Sequence, residues 1–421
     1  MMGDLPSVGS SPLRTLRAVE AVRSARVALR RLNDSAVVGG GLLLALPLRL
    51  MAPLYRIEIQ PITVERIGHL AIEPELLLSL RDVHPLRRTT TLFFSRGPVA
   101  NSFLLSMWRR ALHVGPAWLL HPIWEANRRF PWLDLGARGW DREQFDLRHL
   151  DETETHLHFT VEEQERGRTL LLDLGLDPDE PFACLTVRDS SYLRTVAPRR
   201  DWTYHDYRDS DVATYRGLAE TLAESGLAVL RMGTVVASPL ESAHPKVIDY
   251  ATSGLRSDFG DVYLFAHCRM SISSSTGVDS LAMAFRRPMG IVNLPVIWGL
   301  QLGRSLRLVM FKDLLDASTG KPIALLDARR PEAMASYRTD SFAALGLRLE
   351  DNSSDLLTAF AREMLLLDSG QWHCTEPERE VEREFLRFID PGRELSDASF
   401  HVATCWLVRT VMRPPDGRLA H

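Results

Sequence analysis

The stretch MSISSSTGVDSLAMAFRRPMGIVN, residues 270–293, decides the fold. Met270–Ser273 and Met289–Asn293 are apolar runs too short for helices, and the Gly277–Phe285 segment between them has helical periodicity. Strand, helix and strand without polar alternation indicate a parallel sheet covered on both faces. The same rhythm runs upstream. Phe182–Val187, Leu227–Met232 and Val247–Tyr250 read as strands, and Val212–Glu224, closed by Ser225-Gly226, and Asp258–His267 read as helices. A doubly wound domain over 182–335 follows.

Outward from it, Gly175–Pro181 is a Pro/Gly-rich linker. Before the linker, Tyr55–Ile59 and Thr91–Phe94 read as strands, with helices near 99–112 and 160–174, so residues 56–175 are expected to form an N-terminal Rossmann-like domain. Beyond 335 the segments Asp355–Leu367 and Glu378–Phe388 predict a C-terminal helical region over 336–421. The expected fold class is α/β, with two Rossmann-like doubly wound domains and a cleft between them. Ligands of such sheets sit beyond the carboxyl ends of the strands.

Composition narrows the function by exclusion. The 421 residues carry 50 basic and 54 acidic side chains, a net charge of −4, so there is no cationic excess of the kind nucleic-acid binding draws on. Only Lys246, Lys312 and Lys321 are lysines, which leaves anion binding to Arg, hydroxyls and backbone N–H groups. Cys184, Cys268, Cys374 and Cys405 have no C-x-x-C spacing and read as reduced thiols of a cytoplasmic protein.

The first 55 residues differ from the rest. Residues 1–35 hold Arg14, Arg17, Arg23, Arg26, Arg30 and Arg31 against three carboxylates, and an apolar run follows from Ala36 to Leu48. That run is short of the roughly 20 residues a spanning helix needs. A secretory signal, a short anchor, an interfacial helix and a buried core helix are the possible readings. Peripheral or monotopic attachment to the inner membrane, with the body on the cytoplasmic side, suits basic residues before an apolar run best.

Candidate chemistry lies at the strand ends. Arg188 and Asp189 follow the first strand of the second domain; the arginine fork fits a phosphate, and the alternative is an ion pair fixing the loop. Arg231, beside a strand end, either binds ligand or pairs with a carboxylate such as Asp249. Ser273, Ser274, Ser275, Thr276 and Gly277 form a hydroxyl-rich turn into a helix and suit a pyrophosphate, or else simply cap that helix. A second polar turn, with Ser253, Gly254 and Arg256, is a candidate for nucleobase or ribose contacts beside it. In the first domain His69, placed in a loop, is the candidate base, with Glu65, Glu73 and Glu75 as alternatives. Neither G-x-x-x-x-G-K-[ST] nor G-x-G-x-x-G is present, and Asp209-Ser210-Asp211 reads as a helix cap rather than a metal site.

At Val64–Glu73 (VERIGHLAIE), Leu185–Leu193 (LTVRDSSYL), Tyr207–Asp211 (YRDSD), Val229–Gly233 (VLRMG), Ile248–Tyr263 (IDYATSGLRSDFGDVY) and Ser271–Asp279 the chain resembles a family of bacterial glycosyltransferases of surface-carbohydrate gene clusters. The resemblance implies a GT-B architecture, with a nucleotide-sugar bound by the second domain and an acceptor by the first. A weaker likeness runs to fucosyltransferase-type enzymes. In those, an arginine after a donor-domain strand holds the diphosphate, and a late Ser/Thr turn follows a helix bearing an aspartate. The positions here are Arg188, the Ser273–Thr276 turn and Asp261, with Asp189 where those enzymes have a second arginine. The expectation is a metal-independent glycosyltransferase without organic cofactor, acting on a nucleotide-sugar and a saccharide or lipid-linked acceptor at a membrane surface. A nucleotide-sugar epimerase and a non-catalytic scaffold of polysaccharide assembly are the alternatives.

Overall fold

A computed structural model of the chain describes residues 35–137, 147–189, 191, 195, 203–297, 300, 303–336, 338–391 and 399–411. The arginine-rich residues 1–34 lie outside these. In chain order the elements are α1 (residues 35–51), β1 (Arg56–Ile62), α2 (Ile67–Val83), β2 (Thr89–Ser95), α3 (Ser102–Ala111), α4 (Ala117–Arg129), α5 (Arg148–Asp151), α6 (Val161–Asp173) and β3 (Phe182–Thr186). Then come α7 (Arg216–Glu224), β4 (Ala228–Met232), β5 (Val247–Ile248), α8 (Asp258–His267), β6 (Met270–Ser273), α9 (Asp279–Ala284), β7 (Met289–Leu294), β8 (Leu306–Phe311) and β9 (Asp313–Asp316). The chain closes with α10 (Arg330–Met334), α11 (Thr339–Ala344), β10 (Leu347–Glu350), α12 (Ser354–Asp368), α13 (Glu376–Ile389), β11 (His401–Val402) and α14 (Thr404–Val411).

Two compact units emerge. Unit 1 comprises Met1–Ile62, Leu86–Arg96 and Leu112–Trp140, and unit 2 comprises Thr63–Pro85, Gly97–Ala111 and Asp141–His421. The elements of 56–175 are therefore shared between the units.

Unit 1 is built on the parallel pair β1–β2, in register from Arg56↔Thr89 to Ile62↔Ser95. Backbone bonds extend it on both sides, Ile59 N–H to Leu135 O at 2.7 Å and Phe93 N–H to His113 O at 2.8 Å. Ile59, Phe94, Leu120, Ile123, Leu133 and Leu135 form its core, and Ala45 of α1 closes it. Gly41 makes that docking possible: a Cβ there would stand 1.9 Å from the Pro122 carbonyl oxygen.

Unit 2 holds a seven-stranded parallel sheet in the order β11-β8-β7-β6-β3-β4-β5. β3, β4, β6 and β7 are buried along their whole length, as expected of strands covered by helices on both faces. The order reverses at β3: the chain steps outward to β4 and β5, then returns to β6 on the other side. The topological switch point therefore lies between β3 and β6. The region beyond 335 is more than helical, since it adds β11 to the sheet edge and pairs β10 antiparallel with β9.

The α2 helix departs most from expectation. It spans Ile67–Val83 through Pro74, so His69 stands in its first turn and not in a loop. Pro74 has no N–H for the Leu70 carbonyl, and the buried Trp108 indole N–H of α3 takes its place at 2.7 Å. With that carbonyl satisfied, the helix runs on past the proline.

Candidate functional site

At the switch point two loops are tied together through their backbones. Ser274 donates its N–H to the Thr186 carbonyl at 3.1 Å, and its Oγ accepts the Arg188 N–H at 2.8 Å. The Ser274 hydroxyl therefore fixes the Arg188 loop. Ser275 adopts φ +63°, a left-handed conformation uncommon for residues other than glycine, and so breaks the strand direction sharply. Thr276 gives both its N–H (2.7 Å) and its hydroxyl (3.1 Å) to Asp279. The N–H groups of Ser275 and Gly277 have no partner among the described residues. The turn's free donors are thus backbone groups, with its hydroxyls engaged or, like Ser273, buried.

Three cations converge beside this turn. Arg208 donates from Nη2 to the Ser275 carbonyl at 2.9 Å. Arg188 Nε lies 3.5 Å from Asp209 Oδ1, and Lys312 Nζ donates to the Asp209 carbonyl at 2.7 Å and to Asp351 Oδ1 at 2.6 Å. Burial pulls all three below their ordinary values; for Arg208 it does so together with the like charge of Arg188, down to about 10. Burial also lifts the Asp209 carboxyl to about 6, against the pull of Arg188, and raises that of Asp279. Cations depressed by burial and by each other favour a bound anion, which would restore the charge balance that water supplies elsewhere. Arg208 and Lys312 were not read as site residues from the sequence, although YRDSD was quoted and lysine is rare in this chain, and Asp209 was read only as part of a helix cap.

The first turn of α2, which carries His69, packs on the same turn through Gly68. Gly68 packs against Gly277 so closely that a Cβ on Gly68 would stand 2.8 Å from the Gly277 carbonyl oxygen, which sets the next residue, His69, at the turn. His69 Nδ1 is 2.9 Å from Glu73 Oε1, one helical turn on, and the other Glu73 oxygen accepts the Thr63 hydroxyl at 2.7 Å. Glu73 is buried while the His69 side chain is 36 % exposed. A carboxylate on Nδ1 favours the tautomer with its proton there, leaving Nε2 as a proton acceptor.

The remaining expected residues take other duties. Asp189 accepts the N–H groups of Ser191 (2.8 Å) and Ala237 (3.0 Å), joining the loops after β3 and β4. Arg231 is fully buried with NH1 3.5 Å from Asp249, so its partner is the carboxylate. Ser253 bonds within its own turn, donating to the Tyr250 carbonyl and accepting the Leu255 N–H, and Gly254 supplies a φ of +79°. Arg256 pairs with Asp261 at 2.6 Å, a carboxyl that burial lifts to about 6. This second turn is not beside the serine turn, because β5 and β6 are separated by β4 and β3. Three strand spacings make roughly 14 Å. Asp211 caps the following turn by accepting the Ala213 N–H, as read from the sequence, and among the described residues no three His, Cys, Asp or Glu gather as a metal site.

No family model matches the chain, and no curated protein does. Among solved structures, it is similar to E. coli ADP-heptose lipopolysaccharide heptosyltransferase II, with 14 % identity, 56 % of this chain and 84 % of that one covered and a TM-score of 0.35. It is also similar to a family 9 glycosyl transferase from Veillonella parvula, with 11 % identity, 56 % and 80 % covered and a TM-score of 0.34. The wall teichoic acid polymerase TagF aligns at 12 % identity over 69 % of this chain and 85 % of that one, with a TM-score of 0.26. Similarity at this level assigns nothing to the chain, whose chemistry has to come from its own residues.

Proposed function

We propose that the chain is a glycosyltransferase of the GT-B type whose donor is a sugar linked to a nucleoside diphosphate, bound at the switch point of unit 2. The observation that supports this most is an anion-binding set at one turn, on which the helix start carrying a carboxylate-paired histidine packs through Gly68. Arg188, Arg208 and the N–H groups of Ser275 and Gly277 supply the positive side, and the His69–Glu73–Thr63 relay supplies the proton acceptor.

In this reading an acceptor hydroxyl attacks the anomeric carbon while the bond from that carbon to the diphosphate oxygen breaks. The hydroxyl proton passes to His69 Nε2, and Glu73 holds the imidazolium that forms. The electron pair leaves with the diphosphate, whose growing charge is met by the two guanidiniums and the N–H groups. Guanidiniums and backbone donors neutralise the leaving group, so the scheme needs neither a divalent ion nor an organic cofactor. The acceptor is a saccharide carried on a lipid, met at the cytoplasmic face of the inner membrane.

The test is release of nucleoside diphosphate from a panel of nucleotide-sugars, with water or added glycoside as acceptor. Turnover of one donor class is expected, lost in His69→Gln while donor binding persists. A folded chain that neither binds nor turns over any member would contradict the reading.

A further inference from the structure

The site leaves the apolar N-terminal segment unused. Among the described residues the large apolar side chains exposed beyond seven-tenths are Leu43, Leu50, Leu54, Trp118 and Val161, and all but Val161 belong to unit 1, the smaller unit. Three of these lie on α1 or just past it. One stripe of α1, through Gly41, Ala45 and Leu48, packs on the unit 1 core. The opposite stripe, Leu43, Leu46 and Leu50, continued by Leu54 after the helix ends, is exposed. A helix apolar on every side is ordinarily covered on every side.

Charge indicates what covers it. No Asp or Glu occurs between Asp34 and Glu58, and Arg49 sits within the stretch. The described residues of unit 1 hold Arg49, Arg56, Arg87, Arg88, Arg96, Arg128 and Arg129 against Glu58, Glu125 and Asp134, in a chain whose net charge is −4. Six more arginines precede α1 in residues 1–34. We infer that the Leu43–Leu46–Leu50–Leu54 stripe lies in the interface of an anionic lipid surface, leucines toward the acyl chains and arginines among the headgroups. The helix lies in the plane and does not cross. At 1.5 Å per residue, residues 35–51 reach only about 25 Å, one side is committed to the unit 1 core, and no helix among the described residues is long and apolar enough to span.

Flotation of the full chain with vesicles tests this, using phosphatidylcholine with and without phosphatidylglycerol. The native chain is expected to float with the anionic vesicles far more than with the neutral ones. Leu50→Glu combined with Leu54→Glu, both at exposed positions, is expected to lower the bound fraction by at least about tenfold. An unchanged circular dichroism spectrum and unchanged nucleotide binding establish that the double variant folds, so this inference fails separately from the proposed activity. Equal flotation of native and variant chains overturns it, as does indifference to phosphatidylglycerol. A native chain that does not float overturns it as well; if that chain is a dimer in sedimentation and the variant a monomer, a second copy is the occupant.

Discussion

The loops after β3 and β6, which meet at the serine turn, and the loop after β5 have similar composition: each set joins hydroxyls, a glycine and an arginine ahead of a helix. In the β5 loop Arg256 is answered by Asp261 and Asp258, Asp249 takes Arg231 of β4, and Ser253 bonds within its own turn. In the β3 and β6 loops the arginines crowd one another, Asp209 meets Arg188 at 3.5 Å, and two backbone donors of the turn have no partner among the described residues. The first arrangement is a structural tie and the second has unspent capacity for an anion. Strand order made the difference, since only β3 and β6 adjoin at the switch point.

The largest effect that would sharpen this contrast is on proton transfer. His69→Gln is expected to lower turnover by about 10²–10⁴-fold at unchanged donor affinity, with calorimetry and a turnover assay run side by side. A parallel loss of affinity would mean that His69 shapes the donor site instead. Gly68→Ala comes next. Its methyl would meet the Gly277 carbonyl, backbone against backbone, and the resulting shift of the α2 start should cost on the order of 10² in turnover.

Arg188→Ala and Arg208→Ala should each weaken donor binding by roughly 10–100-fold, the range for loss of a charge-assisted hydrogen bond. Arg256→Ala should leave affinity within about twofold and instead lower unfolding stability by about 1–3 kcal/mol, because the buried Asp261 loses its partner. If Arg256 rather than Arg188 governed affinity, the contrast between the two turns would be reversed.

The smallest effect concerns pH. Asp209 has a carboxyl raised from its ordinary range to about 6, so above that pH it is ionised, holds Arg188 and repels a diphosphate; below it the charge is gone. Donor affinity should therefore rise severalfold as pH falls from about 7 to about 5, measured with a nucleotide-sugar whose phosphodiester charges do not titrate there. Asp209→Asn should bind at the acidic affinity throughout.

Much of the sheet was legible because β3, β4, β6 and β7 are short, mostly apolar runs without strict polar alternation. β8 was not read from the sequence, and β11 is two residues, too short to leave a pattern, held by β8 and Glu382. The switch-point turn was visible for the same reason its strands were. Backbone N–H donors were expected at this turn, but nothing in the order of residues says that Asp279 and the Arg188 N–H engage Thr276 and Ser274. His69 was named as the candidate base but placed in a loop; it stands on α2, which passes Pro74 because Trp108 supplies the missing donor. Arg208 and Lys312 reach the site from the loop before α7 and the end of β8, a convergence that only the fold creates.

The most direct test of an open anion site at the switch point is calorimetric titration of the full chain with UDP-, GDP-, CDP-, dTDP- and ADP-linked sugars, comparing native, Arg188→Ala and Arg256→Ala proteins. Saturable binding of one nucleotide is expected, weakened by roughly 10–100-fold in Arg188→Ala and retained in Arg256→Ala. Affinity unchanged in Arg188→Ala, or no binding to any member by a folded native chain, would contradict an anion site at the switch point.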